Sequence, residues 1–108
     1  MKSWKYYEKK IEEWLQAHGL PAVRLSASHR GEAVNDITID DKAMVEVKTR
    51  KEMPALISQA MEQAEANDTT GIPIVILHKD HTATKDDIAC IRLGVFVRLL
   101  KKGLDYDN

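Results

Sequence analysis

The feature that most constrains this chain is an apolar alternation interrupted by charge. From residue 34 to 51 it reads VNDITIDDKAMVEVKTRK. Ile37, Ile39, Val45 and Val47 fall on alternate positions of two runs separated by Asp40-Asp41-Lys42. This pattern predicts a β-hairpin with strands near 34–39 and 43–49. Successive side chains on a strand point to opposite faces, so Asp36 shares a face with Thr38, and Glu46 shares one with Lys48. Bringing the apolar faces together requires Ile37 to oppose Val45, and Asp36 then lies opposite Glu46. That register needs an odd-numbered loop. A two-residue turn would set Asp36 beside Val47 and put acids on the apolar side. The hydrophobic pattern by itself gathers two carboxylates and a lysine.

The rest of the chain supplies helices and further strands. Residues 3–18 read as an amphipathic helix, capped by Ser3, closed by Gly19 and followed by Pro21. Trp4, Tyr7, Ile11, Trp14 and Leu15 form its apolar stripe. At 100° per residue, Glu8 falls about 40° from Trp4 and about 20° from Leu15, so it belongs to the inner stripe. In AVRLSAS, Val23, Leu25 and Ala27 alternate with polar residues as in a half-buried strand. Pro54 opens a second helix over 54–67, with Leu56, Ile57, Ala60, Met61 and Ala64 as its buried side. IPIVILH is a continuous apolar run, expected as a central strand covered on both faces. A short strand, IACI, precedes a last helix over 93–102 that is expected to bury Leu93, Phe96, Leu99 and Leu100. The C-terminal DYDN reads as a frayed tail. The predicted fold is α/β, a mixed β-sheet flanked by helices in the order α-β-β-β-α-β-β-α, within one domain of 108 residues.

Carboxylates at cross-strand distance repel one another, and a charge on a buried helix stripe needs a partner. A divalent cation answers both requirements. Oxygen ligands without Cys or His partners favour Mg²⁺ or Mn²⁺ over zinc. Such an ion polarises a phosphate and makes a bound water more acidic, which suits phosphodiester hydrolysis. Lys48 would hold or deprotonate the attacking water, or stabilise charge developing on the phosphate. The alternative for Asp36, Glu46 and Lys48 is a solvated face of an edge hairpin.

These residues resemble the PD-(D/E)xK nuclease superfamily, and within it the small Holliday junction resolvases of archaea and their phage relatives. NDITIDDKAMVEVK is similar to the motif in which an aspartate leads one strand and E-x-K lies on the next, with Asn35 in place of the motif's proline. EKKIEEWLQAHGLPAVRLSAS is similar to the family's first helix and following strand, with Glu8 eleven residues before Gly19. On that alignment Ser28 takes the family's serine position, and Gln59 its glutamine position twelve residues before Gly71. The match covers residues 8–71. It implies a restriction-endonuclease-like fold, with Asp36 and Glu46 as metal ligands and the Val47 carbonyl as a third; Glu8, on the inner helix stripe, is expected to join them. It also implies a catalytic Lys48, 5′-phosphate and 3′-hydroxyl ends, and a homodimer that cuts branched DNA symmetrically.

Composition bounds the partners. Net charge is −1, so DNA binding by phosphate neutralisation alone would need locally clustered basic residues. Arg24, His29, Arg30, Lys42, Arg50 and Lys51 lie in or beside the hairpin region, and Arg30 and Arg50 are the favoured phosphate contacts because each neighbours a site element. The single cysteine, Cys90, excludes an intrachain disulfide and fits a reducing compartment. No apolar run reaches membrane-spanning length and the N-terminus is too polar for a secretory signal, so a cytoplasmic protein is expected; the resemblance implies a microbial or phage setting. His78 and His81 read as strand-end and loop histidines. The overall expectation is a Mg²⁺- or Mn²⁺-dependent endodeoxyribonuclease acting on branched DNA. The alternatives are a nicking or general DNA endonuclease and a non-catalytic DNA-binding or assembly module with the same fold.

Overall fold

A computed structural model describes residues 4–25, 36–67 and 70–106. Among the described residues it is α/β, with three α-helices and two small antiparallel sheets, where the sequence pattern predicts one mixed sheet. The chain divides into two compact units. One comprises residues 1–50 and 100–108, and the other residues 51–99.

In the first unit, α1 (Trp4–Ala17) ends in a backbone motif that its sequence dictates. Gly19 takes φ 91°, a left-handed conformation that costs glycine little. The Leu20 N–H then donates to the Leu15 carbonyl at 3.1 Å and the Gly19 N–H to Gln16 at 3.0 Å, satisfying carbonyls that the helix end leaves unpaired. Leu15 and Leu20, brought together by this reversal, are both 2% exposed. They anchor a core shared with Ala22, Ile37 and Ile39.

Three strands, β1 (Ala22–Arg24), β2 (Ile37–Ile39) and β3 (Ala43–Val45), form an antiparallel sheet with β2 in the centre. Ile37 pairs with Val45 and Ile39 with Ala43, the register that the alternation requires. The connecting residues are Asp40, Asp41 and Lys42. The first two adopt φ of 52° and 54°, a region that aspartate tolerates better than most residues.

The β1 alternation is inverted relative to expectation. Ala22 pairs with Ile39 and Arg24 with Ile37, so the even-numbered residues share the face of the isoleucines. Val23 lies opposite Thr38 and is 55% exposed. The two isoleucines set the inner face, and β1 must follow the ladder even though this turns an arginine inward. The C-terminal segment also departs from expectation. Tyr106 is half-buried; its hydroxyl donates to the Asp40 carboxylate, and the Lys42 ammonium stands 5.6 Å above its ring.

In the second unit, α2 (Ala55–Asn67) follows Pro54, whose carbonyl accepts from the Ile57 and Ser58 N–H groups at 3.1 Å. It packs on β4 (Val75–Leu77) and buries Met61, whereas Leu56, expected inside, is 70% exposed. Among the described residues β4 pairs only with β5 (Ile88–Cys90). Val75 is buried while Ile74 and Ile76 are exposed, so one face of this strand is covered, not two. A continuous apolar run signals a strand without counting its covered faces. The Arg92 guanidinium grips Glu65 at 2.9 and 3.0 Å, and His78 Nδ1 lies 2.9 Å from Asp87 Oδ1. On α3 (Leu93–Gly103) the buried residue is Val97, and Leu93, Phe96 and Leu99, expected inside, are exposed. No helix among the described residues is long and apolar enough to cross a membrane.

Candidate active site

Glu8 and Thr38 are the buried polar or charged side chains of the described chain, and Glu8 is 7% exposed. It comes from α1, on the stripe that faces the sheet. The inversion of β1 supplies its counter-charge, because Arg24 turns inward and sets its Nε 3.6 Å from Glu8 Oε1. The same arginine's backbone N–H donates to Glu12 Oε2 at 2.8 Å, which ties β1 to the helix a turn further on.

Asp36 sits just before β2, in a bend. Its Oδ2 accepts the Val47 N–H at 2.7 Å. Beyond Val45 the chain leaves the ladder, so a side-chain carboxylate takes the place that a strand carbonyl would otherwise fill. This bond fixes the carboxylate and the Glu46–Thr49 segment relative to each other. Glu46 and Lys48 are exposed, and their charged groups lie 3.5 Å apart.

A cleft of about 300 Å³ opens here, lined by Glu8, Asp36, Val47, Lys48 and Thr49. Its electrostatics are those of crowded acids. The Glu8 carboxyl is held above its usual range, first by burial and then by the charge of Asp36, with Glu46 adding to the effect; Arg24 opposes it. An ionised Glu8 is therefore under-compensated by the protein's own cations.

The structure thus brings Glu8, Asp36, Val47 and Lys48 to one cleft. Glu46 reaches it through its charge and through Lys48, without lining it. Arg50 is exposed and outside the lining. Gln59 is an exposed residue of α2, in the second unit. Ser28 and Arg30 lie outside the described residues. Two participants escaped sequence reasoning. Arg24, taken for part of a phosphate rim, is the partner of Glu8; the signal was its ladder position opposite Ile37. Thr49 lines the cleft beside Lys48, and strict strand alternation would have turned it away.

Among the described residues, no three His, Cys, Asp or Glu side chains are gathered closely enough to form a ready-made metal cage. The donor set is two lining carboxylates, Glu8 and Asp36, with Glu46 a nearby third. It fits a hard, largely hydrated cation, which takes one or two carboxylates and keeps water in its other positions. Searches among protein families, curated proteins and solved structures find no match to this chain.

Proposed function

We propose that this protein is a metal-dependent endodeoxyribonuclease with a restriction-endonuclease-like fold, acting as a cytoplasmic homodimer on branched DNA such as a Holliday junction. The observation that carries the reading is the convergence of Glu8, Asp36 and Lys48 on one cleft, from α1, the bend before β2 and the segment after β3. The resemblance of the hairpin and first helix to small junction resolvases supports the choice of substrate.

In this reading Glu8, Asp36 and Glu46, with the Val47 carbonyl, hold Mg²⁺ or Mn²⁺. Once bound, the ion would supply Lewis-acid polarisation of the phosphate and a more acidic water. Arg24 keeps the Glu8 carboxylate oriented. The Val47 N–H does the same for Asp36 through its Oδ2. Lys48, which lines the cleft and pairs with Glu46 at 3.5 Å, would hold the attacking water or neutralise charge on the phosphoryl oxygens. Arg50, exposed next to this segment, and Arg30 contact phosphates along the strand, together with Ser28. Gln59 acts only if α2 brings it to the DNA.

Cleavage of a labelled panel tests this: a four-way junction, a flap, nicked duplex, linear duplex and single strand, with Mg²⁺ or Mn²⁺, each beside Lys48→Ala. Paired symmetric cuts confined to the junction and lost in Lys48→Ala are expected. Cuts on other substrates, equally lost, would keep the site and replace the substrate. An inert protein with both metals would overturn the nuclease reading in favour of a DNA-binding module.

A further inference from the structure

Among the described residues that line the cleft, hydrogen-bond donors are few, and most are committed. Glu8 and Asp36 only accept when ionised. The Val47 N–H is taken by Asp36 Oδ2 at 2.7 Å. Arg24 directs its Nε towards Glu8 and its backbone N–H to Glu12. Of the five lining residues, only Lys48 and Thr49 have side chains with protons to offer a ligand. Lys48 shares its ammonium with Glu46 at 3.5 Å. Thr49 is exposed, and its hydroxyl has no hydrogen-bond partner among the described residues.

An acid-rich cleft that accepts a phosphodiester needs donors that do not compete for its carboxylates. A second lysine would be drawn onto Glu8 or Asp36. A hydroxyl is neutral, and its bond to a phosphate oxygen is charge-assisted. We propose that Thr49 is a substrate-binding residue whose Oγ1–H donates to a non-bridging oxygen of the phosphodiester, beside Lys48. This rests on the nuclease reading above. It adds a group outside the acid–lysine motif, recognising the phosphate and not the metal.

The test is steady-state cleavage of a labelled four-way junction with Mg²⁺ by the unchanged protein, Thr49→Val, Thr49→Ser and Lys48→Ala, alongside the melting shift that Mn²⁺ produces in each. Valine keeps the branched shape without the hydroxyl. It should lower kcat/KM about ten- to hundredfold, the loss expected for one bond to a charged group. Serine should restore activity to within about threefold, because the donor returns. The Mn²⁺ shift of Thr49→Val should equal that of the unchanged protein. If Thr49→Val cuts normally while Lys48→Ala is inert, the nuclease reading stands and Thr49 is no part of it. Serine as impaired as valine, or a lost Mn²⁺ shift in the valine variant, also overturns the assignment. A fully active Lys48→Ala removes the cleft's nuclease reading and the role of Thr49 together.

Discussion

The two hairpins of this protein are built from similar amounts of apolar sequence and behave differently. In β2–β3, Thr38 separates Ile37 from Ile39 and Glu46 separates Val45 from Val47, and the pairing of Ile37 with Val45 follows from that alternation. In β4–β5, the run from Ile72 to Leu77 is apolar almost throughout, and alternate members of it end up exposed. Alternation specifies register and face together. Uniform hydrophobicity specifies only that a strand forms. The difference extends to chemistry, because only a hairpin with a defined face can hold Asp36 and Glu46 in a fixed relation to a helix residue such as Glu8.

Truncation gives the largest separation between the two regions. Ile37 is 0% exposed at the centre of its sheet, so Ile37→Ala should cost about 2–5 kcal/mol in denaturant unfolding. A loss below about 1 kcal/mol would mean that β2 is not the centre of this core.

A smaller effect should appear at the charged end of the same hairpin. The folded protein holds the Glu8 proton more tightly than the unfolded chain does, because burial and Asp36 raise its carboxyl. Between the ordinary glutamate range and that raised value, the folded state therefore binds more protons, and stability falls as pH rises through this window. In melting curves without metal, Glu8→Gln should lose that fall and melt no lower than the unchanged protein above the window. A variant that keeps the same pH slope would place the crowding elsewhere.

The smallest effect belongs to β4. Ile76 is 58% exposed, and Ile76→Ala should shift stability by less than about 0.5 kcal/mol. A loss approaching that of Ile37→Ala would erase the contrast.

What the sequence made legible follows the same division. The hairpin register, its three-residue loop, the Gly19 helix stop and the inward placement of Glu8 all depend on local periodicity or on a single permissive residue. The inward turn of Arg24 did not show, because the side of β1 is chosen by its partner strand and not by its own pattern. Val97 replaced Leu93, Phe96 and Leu99 as the buried residue of α3, since the apolar side of this helix is broad and its periodicity does not say which part of that side is covered. Tyr106 was hidden for another reason. Its bond to Asp40 joins residues far apart in the chain, and nothing local announces it. In the site, the acid–lysine pattern was readable from one strand, whereas the partner of Glu8 and the placement of Thr49 depend on where β1 and the segment after β3 go.

The central claim is that Glu8 and Asp36 form one cation-binding cleft in this fold. Thermal melting of the unchanged protein and of Asp36→Asn, each titrated with Mn²⁺ without DNA, tests it most directly. An ion bound only by the folded state raises the midpoint progressively with concentration, by about 2.7 kcal/mol of added stability at a hundred times its dissociation constant. The unchanged protein should show that rise, and Asp36→Asn, folded but lacking the carboxylate, should show little or none. Equal shifts in the two proteins, or no shift in either at millimolar Mn²⁺, would contradict the claim.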